Sequence, residues 1–154
     1  MHWYDKKSPP PDGAHDLGLA ENVQRCQVYR PAQMTDILEK IAAWMKVYGY
    51  PPKDIFAVTL AVHEATSNAF RHGNRGDSSK PVSISYLVTQ EDVLIRVQDE
   101  GPGFDPEQVA DPSRPENIER PGGRGLMLMR AYSHWICFAP PGNRVTFSRR
   151  RSKQ

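Results

Sequence analysis

The stretch HEATSNAFRHG carries a carboxylate, an amide, a guanidinium and an imidazole within nine positions, at Glu64, Asn68, Arg71 and His72. Glu64 and Asn68 are one helical turn apart, so on a helix a carboxylate and an amide carbonyl point the same way at neighbouring heights. Such a pair suits a hydrated divalent cation, because magnesium keeps several waters and takes only one or two protein oxygens alongside phosphates. Asn68 would give the metal a neutral oxygen and leave Glu64 to accept a proton. An ordinary solvated helix face has the same spacing, and this stretch alone leaves both readings open.

Two further constellations follow along the chain. In DVLIRVQDEGPGF, Val93, Ile95 and Val97 share one face of a strand and Asp99 continues that row. A carboxylate in line with core side chains needs a hydrogen-bonding partner. Gly101 and Gly103 beside it make a turn free of side chains, which lets a flat ligand approach the backbone. An acceptor-only carboxylate at that point can read an exocyclic amino group such as that of adenine. A plain turn closing a strand has the same residues. In RPGGRGLMLMR, Gly122, Gly123 and Gly125 run into an apolar helix, whose first N–H groups and dipole form a site for anions. Arg124 adds charge there, and Arg114 or Arg120 in the preceding loop could reach a terminal phosphate. The chain has neither a GxxxxGK[ST] phosphate loop nor a GxGxxG turn after a first strand.

The elements that must position these residues are legible from periodicity. NVQRCQVYR alternates and reads as a strand; in PAQMTDILEKIAAWMKVYGY, Met34, Ile37, Leu38, Ile41, Ala42 (or Met45) and Tyr48 follow helical spacing, and Gly49 stops it. PPKD opens a second helix running to about His72, with Ile55, Thr59, Val62, Thr66 and Ala69 on the stripe expected against a sheet. PVSISYLVT and DVLIRVQDE are alternating strands, GRGLMLMRAY is a third helix, and HWICFAP and RVTFSRR form a last hairpin. Helices early and strands late imply an α+β two-layer sandwich, a mixed, mostly antiparallel sheet with three helices on one face. The proline-rich loop from about Asp105 to Pro121 lies between two glycine turns and reads as a lid.

Composition sets the bounds. The 154 residues suit a single domain, expected over 19–150, after a disordered segment 1–18 and before a basic tail 151–154. Net charge is +2, with cations gathered in SRRRSKQ and no basic stripe with interleaved aromatics, so nucleic-acid binding is not expected. Residues 1–20 lack an apolar segment and no run approaches a membrane span, so neither a signal peptide nor a membrane partner is expected. Cys26 and Cys137 have no CxxC partner and read as free thiols in a reducing cytosol, and the five histidines have no zinc spacing.

In their order, Glu64-x3-Asn68, then Asp99-x-Gly101-x-Gly103, then Gly123-x-Gly125, these motifs resemble the Bergerat, or GHKL, ATP-binding fold of gyrase, heat-shock chaperones, histidine kinases and mismatch-repair ATPases. Over about residues 20–150 the chain looks most like the short serine kinases that act as bacterial anti-sigma factors. The resemblance implies ATP and magnesium as cofactors and an ATP lid. It implies Glu64 as general base, Asn68 as the magnesium ligand, and Asp99 with Gly101 and Gly103 at adenine. Gly123 and Gly125, with the N–H groups around Arg124 and Leu126, would receive the phosphates. Arg71 stands where many relatives have Lys, and the two cations differ in geometry. The closing GNRVTF lacks a Gly-Thr common in relatives, so Thr146 receives no ligand role, and His72 stays unassigned.

The implied partners are an anti-anti-sigma (STAS-domain) protein as phosphoryl acceptor, a sigma factor, and a second copy of the chain through the first strand and helix. The implied location is the cytoplasm. A non-catalytic nucleotide-binding module that sequesters a partner is the alternative. A detached histidine-kinase domain is disfavoured by the lack of a phospho-accepting helical hairpin before residue 20.

Overall fold

A computed structural model describes residues 3–4, 17, 21–105 and 123–153. The described elements are β1 (Trp3–Tyr4), β2 (Gln24–Val28), α1 (Met34–Val47), α2 (Pro52–Asn68), β3 (Val82–Val88), β4 (Asp92–Gln98), α3 (Gly123–Tyr132), β5 (Trp135–Ala139) and β6 (Arg144–Arg150). One six-stranded sheet has the order β1-β5-β6-β4-β3-β2. The α+β sandwich is as expected, except that all five described pairings are antiparallel where a mixed sheet had been predicted. The reason is local: β3–β4 and β5–β6 are joined by short turns, and a short turn can connect only antiparallel neighbours.

Local chemistry accounts for the boundaries. A short 3-10 turn, Pro31–Gln33, leads into α1, and Gln33 Oε1 accepts the N–H groups of Tyr29 and Arg30 at 2.7 and 3.0 Å, closing the helix entrance. Gly49, at φ 78°, ends α1 in the left-handed conformation that glycine adopts without strain. Met34, Ile37, Ile41 and Met45 are buried, with Leu38 and Tyr48 packed beside them. In α2 the buried strip is centred on Val58, Ala61, Val62, Ala65 and Thr66; Ile55 and Thr59, read as part of it, sit at its half-exposed edge. Together with Val82, Ile84, Val93, Ile95 and Val97 these residues form the main core, each large aliphatic chain contributing about 1.5–3 kcal/mol on burial.

The opposite face of the sheet carries a smaller apolar cluster of Leu17, Val23, Leu94, Trp135 and Cys137. Two points of the segment read as disordered are therefore placed: Trp3–Tyr4 pairs with β5, and Leu17 is buried. Cys26 packs against the helix-side core and Cys137 belongs to the other face; both thiols are free and burial pushes both upward in pKa. No helix among the described residues is long and apolar enough to cross a membrane.

The basic end, read as a tail over 151–154, is tied down. Asp54, fully buried in the first turn of α2, accepts from Arg149 Nε at 3.0 Å, from the Ser152 N–H at 2.7 Å and from the Ser152 hydroxyl at 2.7 Å. Arg149 also donates to the Tyr132 carbonyl at the end of α3, and Arg151 donates to Tyr48 O and, through its N–H, to Glu91 O. A buried carboxylate needs such partners, and the chain beyond β6 supplies them.

Candidate active site

The α-helical part of α2 ends at Asn68, where the structure departs from the expected helix to His72. Residues 69–73 widen into a π-helical turn, closed by the Asn74 N–H on Ala69 O at 2.8 Å and the Gly76 N–H on Phe70 O at 2.9 Å. The widened turn brings Gly73 against the end of β4: a Cβ on Gly73 would strike the Asp99 carboxylate, and one on Gly101 would strike Gly73 O. No side chain other than hydrogen fits either place.

Asp99 is held by its neighbours. Its Oδ1 accepts the Gly101 N–H at 2.7 Å, and its own N–H donates to Asn143 O at 3.0 Å. Asn143 Nδ2 reaches the carbonyls of Asp99 and Gly101 at 3.2 and 3.4 Å. Burial pushes the Asp99 carboxyl above its ordinary value, and the Gly101 N–H only partly offsets this. The following turn lies flat on the β5–β6 connection, since a Cβ on Gly103 would meet Pro141 O and one on Gly142 would meet Phe104 O. Phe104 stands edge-on to Phe138, ring centres 5.4 Å apart.

These pieces enclose a cavity of about 470 Å³. Its apolar wall includes Val97, Leu126, Met129, Phe138 and Val145, and Ala65 and Ala69 of α2 leave it room where longer side chains would fill it. Asp99, Asn68, His72, Asn143 and Arg144 supply its polar groups. An apolar cavity whose lining holds one half-buried acceptor carboxylate, Asp99, matches an amino-bearing heterocycle.

Glu64 and Asn68 meet the third motif at the start of α3. A Cβ on Gly125 would stand 3.0 Å from Glu64 Oε2, 3.0 Å from Asn68 Nδ2 and 3.3 Å from Asn68 Oδ1. Both head groups therefore face a helix start without an intervening side chain. That donor set, one carboxylate and one amide beside helix N–H groups, fits magnesium held mainly by phosphates. A cage of three or more His, Cys, Asp or Glu does not occur among the described residues.

Of the residues singled out from sequence, Asn68, Asp99, Gly103 and Leu126 line the cavity, Gly101 braces Asp99, and Glu64 lies beside Asn68 at Gly125. Gly123 begins α3. Arg71 and Arg124 are exposed and lie outside the cavity wall. Thr146 is buried, and its hydroxyl accepts from Arg96 Nε at 3.1 Å. Residues 106–121 of the loop read as a lid, with Arg114 and Arg120, and the following Gly122 lie outside the described residues. Sequence reasoning missed Gly73, Phe104 and Asn143; a Gly-Asn pair closing a polar helix and a Gly-Asn hairpin turn were the available signals.

The sandwich holds this cavity between α2, α3 and the end of β4. The chain belongs to the histidine kinase-like ATPase domain family, whose model matches residues 28–149. It is similar to the serine/threonine-protein kinase BtrW of Bordetella bronchiseptica, 28% identical over 85 residues that cover 54% of this chain and 60% of that one. It is also similar to the serine-protein kinases RsbW of Oceanobacillus iheyensis (29% over 89 residues; 54% and 56%) and Bacillus subtilis (34% over 87 residues; 53% and 54%). The matched region thus spans little more than half the length of each relative.

Proposed function

We propose that the chain binds ATP with magnesium and transfers the terminal phosphoryl group to a serine or threonine of a protein partner. The observation that carries this reading is the convergence of Asn68 and Asp99 on one cavity, with Glu64 beside Asn68 at the glycine start of α3. Asp99 accepts from the adenine amino group, with Gly101 and Gly103 shaping that end. Backbone N–H groups of Gly123, Arg124, Gly125 and Leu126 receive the phosphates. Arg71 adds its charge from the rim. Asn68 would hold magnesium, which when bound would neutralise the charge of the phosphates.

In the transfer, the acceptor hydroxyl oxygen forms a bond to the γ-phosphorus while the bond from that phosphorus to the β–γ bridging oxygen breaks. ADP leaves, and the hydroxyl proton passes to the Glu64 carboxylate. The relatives named as serine kinases support a protein hydroxyl as acceptor. The motif resemblance supports an anti-sigma role in the cytoplasm: an anti-anti-sigma STAS-domain protein as acceptor, a sigma factor as the sequestered partner, and a homodimer as the assembly.

One observation favours a second reading. Glu64 adjoins Asn68 but does not line the cavity, which suits a module that holds nucleotide only to set its grip on a partner. Incubation with labelled ATP, magnesium and a candidate STAS-domain protein separates the two. Transfer by the wild type, lost in Glu64→Gln with ATP binding intact, is the expected result. Transfer by Glu64→Gln at the wild-type rate overturns the assigned base; no transfer by the wild type leaves the binding module.

A further inference from the structure

The peptide groups around Asp99 are held from two sides. Asn143 takes one side, as described. The other is taken by Asn74, a residue just after the π-helical turn whose side chain is almost wholly buried at 3% exposure. Its Oδ1 accepts the Glu100 N–H at 2.8 Å, and its Nδ2 donates to Lys80 O at 3.0 Å and Pro81 O at 3.1 Å. Its own N–H closes the turn on Ala69 O. A single residue thus joins the end of the helix that carries Asn68, through its backbone N–H, to the entrance of β3 and the peptide directly after Asp99, through its side-chain amide. Every hydrogen-bonding atom of that amide side chain is engaged in this junction, and a shift of the Glu100 peptide would carry the Asp99 carboxylate with it.

We infer that Asn74 is a positioning residue for base recognition: it fixes the Glu100 peptide and so holds Asp99 where it accepts from a 6-amino purine and disfavours a 6-oxo purine. The inference rests on the ATP reading of the cavity. Its signature is selectivity, because loosening Asp99 weakens an acceptor contact that favours the 6-amino base and leaves the apolar wall and the phosphate end in place.

The test compares the binding of magnesium ATP and magnesium ITP by calorimetry, with melting temperatures recorded. Wild-type protein should prefer ATP by at least about tenfold, the scale of one hydrogen bond to a charged group. Asn74→Ala should bring that ratio close to one. Asn74→Asp keeps an acceptor for the Glu100 N–H but loses both donors, so it should keep most of the ATP preference while melting lower. A role confined to stability would lower the melting temperature of both variants and leave the ratio at its wild-type value, which overturns the inference, as does an Asn74→Asp ratio equal to that of Asn74→Ala. Wild-type protein that binds neither nucleotide overturns the ATP reading itself, a failure visible before any variant is compared.

Discussion

The carboxylate of Asp99 occupies the place that a side chain on Gly73 would need. The glycine ends a widened helical turn and the aspartate ends a strand, so their contact fixes the height of the cavity's acceptor relative to the helix that carries Asn68.

Gly73→Ala should therefore cost function before it costs backbone strain, since Gly73 is not among the glycines at positive φ. The added methyl displaces Asp99, and ATP affinity should fall by about tenfold or more, the effect of losing a hydrogen bond to a charged group. Gly76→Ala is the contrast: nothing lies within 4 Å of its Cβ, but its φ is +74°. It should cost about 1–2 kcal/mol in urea unfolding and leave ATP affinity unchanged.

The pH dependence of binding should follow Asp99. Its carboxyl lies above the ordinary value of 3.8 because burial disfavours its charge. An acid with a raised folded-state pKa binds more protons in the native than in the unfolded chain, so its contribution to stability is present at low pH and lost as pH rises through that pKa. Binding runs the other way, because only the ionised carboxylate is a pure acceptor. Affinity for ATP should fall as pH drops toward the Asp99 pKa, and Asp99→Asn should show weaker binding without that step. Titration calorimetry of the two proteins side by side removes the contribution of the nucleotide's own phosphates.

Asp54 and Arg149 form an ion pair remote from the cavity, 3.0 Å apart, with the carboxylate fully buried and the arginine side chain 18% exposed. Burial alone would raise the Asp54 pKa, but the Ser152 N–H and hydroxyl and the Arg149 guanidinium outweigh it and hold the carboxyl low. Its stabilisation is thus present at neutral pH and is lost as pH falls from the unfolded-state value through the lower folded one. Asp54→Ala should destabilise by about 1–3 kcal/mol, the cost of leaving the Ser152 and Arg149 donors without their buried acceptor. A denaturant midpoint unchanged from wild type would contradict this.

Arg75 adopts φ 53° in the turn that follows the π-helical segment, closed by the Asp77 N–H on Asn74 O at 3.0 Å. That conformation costs a non-glycine residue about 1–2 kcal/mol. Arg75→Gly should raise the midpoint of urea unfolding, and a lower midpoint would show that the Arg75 side chain repays its strain elsewhere.

Much of the fold follows from periodicity. The β6 and α3 segments read from sequence match the observed Arg144–Arg150 and Gly123–Tyr132, because alternation and a glycine-led apolar run are local signals. Asp99 was legible as the continuation of the Val93–Ile95–Val97 row, and Glu64 with Asn68 as a one-turn pair. The π-helical turn at 69–73 was not, since a single extra residue per turn leaves the apolar pattern almost unchanged. The pairing of Trp3–Tyr4 was also hidden, as two residues are too few to show alternation. Asn74 and Asn143 act through carbonyls and N–H groups distant in sequence, and side chains of their type are equally at home in any turn.

The double hold on the Asp99 segment has a kinetic consequence. The amide protons of Asp99, Glu100 and Gly101 are bonded to Asn143 O, Asn74 Oδ1 and Asp99 Oδ1, all within the protein. Turns at binding sites ordinarily exchange their amide hydrogens quickly with solvent. This one should exchange slowly even in the free protein, on the scale of the strand that precedes it. A base arriving in the cavity would then meet an acceptor already in place and lose little entropy in ordering it.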